Sequence, residues 1–395
     1  MTDAILTINA GSSSIKFALF DSGTALARIA FGEIEKIGLA PHFLAHDAEG
    51  NKLAERTWDH GAALSHEALL APLLDWVETH LGSTKLIAAG HRIVHGGTLF
   101  TAPVRLDAKA LAALATLIPL APFHQPHNLA AVRAVMALRE TLPEIGCFDT
   151  AFHHGLPHVA TRFALPRHFD DEGVRRYGFH GISYEFIARR LRTIAPESAA
   201  GRVIAAHLGN GASLCAMKDG KSVETSMGLT ALDGLVMGTR CGTIDPGAVL
   251  YLMQTRGMSV DDVTNLLYEQ SGLLGVSGLS ADMRVLLASN SPDAAEAVAL
   301  FAYRAAGQIG ALTSSLDGLD CLVFTAGIGE RAAPVRAAIC VRLGWLGVEI
   351  DDDANQRNAD IISTALSRVA VRVIPTDEEA MIARHCLEVL RPVSA

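Results

Sequence analysis

The sequence predicts an α/β fold of two duplicated domains with a cleft between them. Two β-prone runs flank a glycine turn at residues 5–20, and the same arrangement returns at residues 202–217. A further β-prone run from Cys321 ends in the double-glycine turn Gly327-Ile328-Gly329. A supersecondary unit that occurs twice indicates an internal duplication, and a cleft between domains is a usual place for a small ligand.

The chain length supports this division, because 395 residues are enough for two or three domains that each bury a core. We expect an N-terminal domain over residues 1–150 and a C-terminal domain over residues 151–395. The C-terminal domain carries the later glycine turns, and its last helix could return to the N-terminal domain.

Composition excludes several classes of function. The net charge of −9 argues against a nucleic-acid partner, since binding to a polyanion requires a basic face. The six cysteines form no C-x-x-C pair, which argues against a disulfide framework or a zinc site and favours the reducing cytoplasm. The most apolar helical stretch, residues 110–118, is too short to span a bilayer, and no signal peptide is evident. We therefore expect a cytoplasmic protein without a membrane partner.

The first glycine turn has the residue types of a phosphate site. Backbone N–H groups near Gly11 and the hydroxyls of Ser12 and Ser14 can point into one concavity, as phosphate oxygens require. A serine-rich turn alone is more often an ordinary hairpin loop. Asn9 and Lys16 on either side favour the phosphate site, because they offer an oxygen ligand for a metal and a compact cation.

Two more strands of the first half end in charged residues. The run at residues 86–90 leads into Arg92, and the run at residues 145–148 leads into Asp149. The carboxyl ends of strands are where α/β sheets usually present a site. Leucines at helical spacing predict an amphipathic helix near residues 62–81, which has a core role only.

The second half repeats this plan. His207 and Gly211 bound the repeated glycine turn, and Arg240 lies in a later glycine-containing loop. His180 precedes a predicted helix near residues 183–195. A lone histidine is more often structural than functional, so His180 by itself is weak evidence of a site.

A last strand ends before an acidic run. Thr376 and Glu379 have the spacing of a helix capping box, which gives Glu379 a sufficient structural explanation. Glu378 has no such explanation, so it is a candidate for function.

Eight sequence blocks follow one another in a recognisable order. They are Asn9–Phe17, His91–Gly97, Phe148–Phe152, Tyr177–Gly181, His207–Gly211, Met237–Asp245, Phe324–Glu330 and Ile374–Glu379. Taken together, these blocks resemble the acetate kinase family, and the resemblance covers essentially the whole chain. It implies duplicated actin-like ATPase (ribonuclease H-like) domains with a nucleotide cleft between them. It further implies the reaction ATP + acetate ⇌ ADP + acetyl phosphate with Mg²⁺, for which Mn²⁺ can substitute, and a homodimer.

The resemblance also implies catalytic roles. Arg92 and Arg240 would clamp acetate and the transferring phosphoryl group, and His180 would donate to the phosphoryl oxygens. Asp149 would hold a guanidinium or the metal shell. The family's metal positions correspond to Asn9 and Glu378.

Two larger sets follow from the same resemblance. The acyl substrate would be bound by Arg92, Val94, Phe123, His124, Phe179 and Ala231. ATP would be bound by Ser12, Ser14, Lys16, His207, Leu208, Gly209, Asn210, Gly211, Asp282, Met283, Arg284, Gly327, Ile328, Gly329 and Arg331.

Departures from the family pattern leave the length of the substrate's acyl chain undecided. The family's Thr-Pro-Leu-Glu-Gly is here Thr230-Ala231-Leu232-Asp233-Gly234, and its Leu-His-Asn-Pro is Phe123-His124-Gln125-Pro126. Both changes fall on the methyl pocket, so a kinase of propionate or another short carboxylate is an alternative. A nucleotide-gated binding protein of actin or chaperone type is a second alternative. The paired arginines and His180 argue against the latter, because a simple ATPase would not need them.

Overall fold

The structure, a computed structural model, describes residues 3–23, 25–58 and 64–391. The chain divides into two compact units. Unit 1 comprises Met1–Ala151 and Asp377–Ala395, and unit 2 comprises Phe152–Thr376.

Unit 1 is built on an eight-stranded mixed sheet with the order β5-β4-β3-β2-β1-β6-β8-β7. Strands β1, β2 and β3 are antiparallel, β6 runs parallel to β1, and β8 runs parallel to β6. The strands are β1 (Ala4–Ala10), β2 (Ile15–Asp21), β3 (Arg28–Glu35), β4 (His42–Asp47), β5 (Lys52–Thr57), β6 (Leu86–Ile93), β7 (Val104–Arg105) and β8 (Glu144–Phe148).

Three helices before β8 support this sheet: α1 (His66–Leu81), α2 (Ala108–Ala115) and α3 (Gln125–Leu138). The predicted amphipathic helix is confirmed over α1, while part of the predicted range lies outside the described residues. Ser65 caps α1, and the leucines at helical spacing are buried in the same core cluster as β1 and β2. The leucine pattern therefore marks the helix face that packs on the sheet.

Unit 2 has a five-stranded sheet with the order β11-β10-β9-β12-β13. Strands β9, β10 and β11 are antiparallel, β12 runs parallel to β9, and β13 runs parallel to β12. The strands are β9 (Arg202–Leu208), β10 (Ala212–Lys218), β11 (Lys221–Thr225), β12 (Cys321–Thr325) and β13 (Ala370–Val373).

The two sheets share one topology. In both, an antiparallel three-strand meander is followed by two parallel strands on the other side of its first strand, as β3-β2-β1-β6-β8 and β11-β10-β9-β12-β13 show. A three-strand meander followed by crossovers to parallel strands is the repeated unit that the glycine turns predicted. The predicted α/β duplication is confirmed.

Most helices of unit 2 follow its first three strands. Within the described residues of the chain, no helix is both long and apolar enough to cross a membrane. The helices are α4 (His158–Thr161), α5 (Arg167–Asp171), α6 (Gly181–Ile194), α7 (Pro196–Ala199), α8 (Pro246–Gln254), α9 (Val260–Glu269), α10 (Gly272–Ser277), α11 (Met283–Leu287), α12 (Pro292–Ser315), α13 (Ala326–Arg331), α14 (Ala333–Cys340) and α15 (Asp352–Gln356).

The prediction of a double-glycine turn after β12 is wrong, because helix α13 begins there directly. Ala326 has a φ of 64°, in the left-handed region, and this residue redirects the chain from strand to helix. The Glu330 carboxylate accepts hydrogen bonds from the backbone N–H groups of Ala326 at 2.8 Å and Thr376 at 3.1 Å. This carboxylate satisfies an N–H group at the start of α13, which allows the helix to form.

The last helix, α16 (Glu378–Leu390), packs on β1, β6 and β8 of unit 1. The predicted capping box is wrong. Asp377 is the N-cap, and its carboxylate accepts a backbone hydrogen bond at 2.9 Å from the residue three positions later. The Thr376 hydroxyl instead forms a hydrogen bond with Ser183 at 2.8 Å. The second oxygen of Asp377 pairs with Arg28 on β3 at 2.7 Å, so one carboxylate oxygen caps α16 and the other ties its start to the sheet of unit 1.

Candidate active site

The β1–β2 hairpin forms the first glycine turn. The Gly11 N–H donates to the Ser14 carbonyl at 2.8 Å and closes the turn, which leaves Ser12 and Lys16 exposed. Asn9 and Lys16 are opposite each other in the antiparallel register, so their side chains project from the same face. The structure thus places Asn9, Ser12, Ser14 and Lys16 in and beside one short hairpin turn.

Arg92 lies near the end of β6 and is held by two carboxylates. Its Nε donates to Asp149 Oδ1 at 2.9 Å, and its Nη2 donates to Asp149 Oδ2 at 2.6 Å. Its Nη1 is 3.8 Å from Glu378 Oε2 at the start of α16. Burial alone would lower the pKa of Arg92, but the Asp149 and Glu378 carboxylates raise it above its ordinary value. The guanidinium is therefore a permanent, oriented positive charge.

Glu378 is the most perturbed carboxyl of this cluster. Burial raises its pKa to about 7, with Arg92 opposing the shift and Asp149 adding to it. Lys16 also opposes the shift, and Glu379 adds to it. Glu378 is thus a buried carboxyl with a perturbed pKa among charges of both signs, as is common at functional sites.

The donor chemistry in unit 1 fits Mg²⁺. This ion usually takes one or two protein carboxylates and completes its shell with phosphate oxygens and water. The Glu378 carboxylate and the Asn9 amide oxygen are ligands of this kind. Among the described residues, no group of three or more His, Cys, Asp or Glu side chains could hold a metal alone. The cluster therefore suits a metal that arrives with a phosphate, rather than a metal caged by protein.

A buried amide joins the glycine turn to the predicted acyl-binding loop. Asn128 on α3 donates to the Ala10 carbonyl at 2.7 Å and accepts from the Val94 N–H at 3.0 Å. Val94 is buried, while Phe123 and His124 are partly exposed at the start of α3. Asn128 was missed from the sequence, because nothing local to it distinguishes a bridging amide from any other helical asparagine.

The β9–β10 hairpin of unit 2 has the same strand–glycine–strand form as the first turn. The side chains of Arg240 and His180 lie beside it. The Gly209 N–H donates to the Gly211 carbonyl at 3.1 Å. A Cβ on Gly211 would lie 2.6 Å from Arg240 Nη2 and 3.2 Å from His180 Nε2. The two nitrogens therefore converge over Gly211, where only glycine leaves them room. The predicted residues Arg240, His180 and Gly211 form one group.

Two stacked histidines beside the β9–β10 turn, His180 and His207, are oriented by hydroxyls. His180 and His207 stack with ring centroids 4.2 Å apart. His180 Nδ1 lies 2.8 Å from Ser213 Oγ, and His207 Nδ1 lies 2.9 Å from Ser183 Oγ. Phe179, predicted in the acyl site, is buried, and its carbonyl accepts from His153 at 3.0 Å. Arg240 Nη1 also donates to the carbonyl of the predicted acyl residue Ala231 at 2.5 Å.

Three of the predicted ATP-binding residues, Asp282, Met283 and Arg284, lie at the start of α11. Asp282 is the N-cap of α11, and it also pairs with the exposed Arg284 at 2.6 Å. The hydrogen bonds from Arg284 lower the pKa of Asp282. Met283 is buried, with 3% of its surface exposed, so its side chain belongs to the core. The exposed face here consists of the Asp282–Arg284 pair.

The predicted residues Gly327, Ile328, Gly329 and Arg331 lie on α13, and a buried arginine supports them. Arg336 is fully buried, donates to the Gly329 carbonyl at 2.9 Å, and reaches Asn355 Oδ1 at 2.7 Å. Burial lowers its pKa. Arg336 was missed from the sequence, although an arginine soon after Gly327 and Gly329 is a local signal for such a support.

The chain is similar to known proteins along nearly its whole length. Residues 4–384 match the Acetokinase family. An acetate kinase of Rhodopseudomonas palustris is 51% identical over 391 residues, which cover 98% of each chain. The crystal structure of Porphyromonas gingivalis acetate kinase has a TM-score of 0.88 at 35% identity, covering 98% of this chain and 100% of that chain. That of a propionate kinase from Francisella tularensis has a TM-score of 0.90 at 37% identity, covering 97% and 98%. These likenesses confirm the predicted fold class, and the chain belongs to the acetokinase family.

Proposed function

We propose that this protein is an acetate kinase that reversibly transfers the γ-phosphoryl group of ATP to acetate, giving acetyl phosphate and ADP. The observation that carries the proposal is the convergence of Arg240 and His180 over Gly211 in a phosphate-type turn. The names of relatives that match the whole chain support the same reaction.

The proposed chemistry needs positioning rather than a general base. Acetate is already ionised at neutral pH, so its oxygen is ready to attack the γ-phosphorus while the bond to the ADP oxygen breaks. The barrier comes from bringing two anions together and from charge on the transferred group. Arg92, oriented by Asp149, binds the acetate carboxylate, while Arg240 and His180 stabilise the phosphoryl oxygens.

We further propose that Mg²⁺, or Mn²⁺ in its place, is held by Glu378 and Asn9 together with the phosphates. When bound, this ion would neutralise charge on the phosphate oxygens. The exposed turn around Ser12, Ser14 and Lys16 binds phosphate in unit 1. In unit 2, the β9–β10 turn binds phosphate, and the Asp282–Arg284 pair with the start of α13 binds the nucleoside.

The proposed function is tested by trapping acyl phosphate with hydroxylamine. The purified protein is incubated with MgATP and acetate, propionate or butyrate, and the hydroxamate is measured. We expect acetate-dependent product that disappears without ATP. ATP hydrolysis with no hydroxamate from any of these acids would contradict the proposal and favour a nucleotide-gated binding protein.

Propionate is a second candidate substrate, and Ala231 favours it. Exchange of the family's proline for alanine frees room beside the methyl group for about one or two methylenes, each worth about 0.8 kcal/mol when buried. We expect kcat/KM for propionate within about tenfold of that for acetate, and a wider gap in Ala231→Pro. If kcat/KM for propionate were more than about a hundredfold below that for acetate, and Ala231→Pro left this ratio unchanged, the pocket effect would be excluded.

We propose that the protein is a homodimer that works in the cytoplasm. One face of α12 presents the small residues Gly307, Gly310 and Ala311 beside the exposed aromatics Tyr303 and Trp345, around a cavity of about 670 Å³. Small residues beside exposed aromatics allow close packing of a second copy. Sedimentation analysis should give twice the 41.8 kDa chain mass, and Tyr303→Glu should shift it toward the monomer. A monomeric wild-type protein at micromolar concentration would contradict this assignment.

A further inference from the structure

His180 sits in an uncommon backbone conformation beside a buried hydroxyl pair. Its φ of 58° is left-handed, which is rare for a residue other than glycine and marks a position held by its surroundings. On the next turn of α6, Tyr184 is fully buried, and its hydroxyl lies 2.5 Å from Ser213 Oγ. Ser213, also fully buried, lies 2.8 Å from His180 Nδ1. Tyr184, Ser213 and His180 thus form one hydrogen-bonded chain, which we call the hydroxyl relay.

The chemistry of the relay sets the direction of its hydrogen bonds. A phenol, with a pKa near 10, is a better donor than an aliphatic hydroxyl, so Tyr184 donates to Ser213 Oγ. Ser213 then has its own proton for the next acceptor in the chain, which is His180 Nδ1. A neutral imidazole that accepts at Nδ1 carries its proton at Nε2.

A second chain of buried hydrogen bonds in unit 2 also runs through a serine to Nδ1 of a histidine. In this chain the position of the histidine proton is fixed. Cys215 Sγ donates to Ser222 Oγ at 3.4 Å, and Ser222 lies 2.8 Å from His153 Nδ1. His153 Nε2 lies 3.0 Å from the Phe179 carbonyl, which can only accept, so the proton of His153 is on Nε2. A serine hydroxyl donating to Nδ1 is thus already used here for a neighbouring histidine.

We propose that Tyr184 and Ser213 are positioning residues that hold neutral His180 in its Nε2–H tautomer. The stacked His207 ring fixes the plane of the imidazole, and Nε2 faces the space over Gly211 beside Arg240. The relay therefore presents an N–H donor, rather than a lone pair, to an anionic oxygen. The identity of that oxygen as a phosphoryl oxygen rests on the proposed function, whereas the position of the proton does not.

The test reads the tautomer directly. Protein labelled with ¹⁵N-histidine gives long-range ¹H–¹⁵N spectra that separate the two neutral tautomers, and His180→Gln identifies the His180 signals. We expect the wild-type protein to show Nε2–H at neutral pH. In Tyr184→Phe and Ser213→Ala, a measurable Nδ1–H fraction should appear. Thr313→Val, which removes another buried hydroxyl of unit 2, should leave the spectrum unchanged.

Kinetics supply a second readout. For both relay variants, kcat should fall about tenfold, as is typical when the partner of a functional histidine is removed, with KM values for ATP and acetate nearly unchanged. An Nδ1–H tautomer in the wild type overturns the proposal, as do variants that leave either the tautomer or kcat unchanged. If the spectra behave as expected but the wild type forms no acyl phosphate, the proposed function fails while the relay stands.

Discussion

At the scale of single residues, the positive charge of Arg92 and the planar geometry of its guanidinium can be tested separately. Arg92→Lys keeps the positive charge but loses the planar fork that contacts both oxygens of Asp149. We expect kcat/KM for acetate to fall by at least about a hundredfold, because the cation is no longer aimed at the reacting group. Hydroxamate formation across acetate concentrations measures this change.

Arg139→Lys is the matched control for this substitution. Arg139 also contacts two carboxylates, Glu78 and Asp75, but it does so at the surface. We expect unchanged kinetics and a loss of stability below about 1 kcal/mol. Wild-type kcat/KM in Arg92→Lys would contradict the role proposed for Arg92.

A second prediction at this scale concerns pH and His153. Burial lowers the pKa of His153 to about 4, from an ordinary value of 6.5. Because the folded pKa is the lower one, the unfolded chain binds a proton first as pH falls, and stability is lost between pH 6.5 and 4. The loss is about 3 kcal/mol.

Denaturant unfolding of the wild type and His153→Gln across this pH range measures the effect. The wild-type advantage at pH 7.5 should shrink by about 3 kcal/mol on going to pH 4, because glutamine does not titrate. A constant difference between the two proteins would show that His153 does not remain neutral in the fold.

At the scale of elements, α16 depends on a glycine of the strand beneath it. A Cβ on Gly90 of β6 would lie 2.5 Å from Ile382 and 2.6 Å from Cys386. Gly90→Ala should therefore push α16 off the sheet and destabilise the protein by about 1–3 kcal/mol. Glu378 begins this helix, so the Mg²⁺ concentration for half-maximal rate should rise as well.

Gly155→Ala is the control, since a Cβ there meets nothing within 4 Å. Urea unfolding and magnesium titrations of the two variants give the comparison. If Gly90→Ala lowers stability but leaves the magnesium requirement unchanged, the placement of Glu378 at the metal would be wrong.

At the scale of the whole molecule, the cysteines report on the integrity of both units. Cys147, Cys215, Cys321, Cys340 and Cys386 are buried, whereas Cys241 is only partly buried. Burial raises the pKa of the Cys215 thiol to about 12, which makes it inert as a nucleophile. Burial also raises the pKa of the Cys241 thiol, but this side chain is only partly buried. A thiol reagent should therefore label Cys241 before the other five cysteines in the native protein, and all six after denaturation.

Cys241→Ser should abolish the fast reaction and leave the five slow thiols unchanged. Serine has nearly the same shape as cysteine, so the fold should tolerate it at this partly buried position. Two or more fast thiols in the native protein would show that at least one of the two cores opens readily.

Much of this architecture could be predicted from local sequence. The strand–glycine–strand runs around Gly11 and Gly211 predicted both hairpins, because alternating burial and glycine turns act over a few residues. Arg92 and Asp149 were placed at strand ends by the same kind of local pattern. The error at α13 has a local cause too: glycines usually signal a turn, but here Glu330 supplies the hydrogen bond that lets a helix begin.

The sequence by itself thus determined the duplicated α/β plan, the glycine turns of the two hairpins and the family. Only the tertiary structure decided which side chains meet. Asp377 pairs with Arg28 from 349 positions away, which places α16 on unit 1. Ser213 reaches His180 across 33 positions. Secondary structure follows from periodicity along the chain, whereas hydrogen-bond partners and buried charges depend on distances in space that no local pattern encodes.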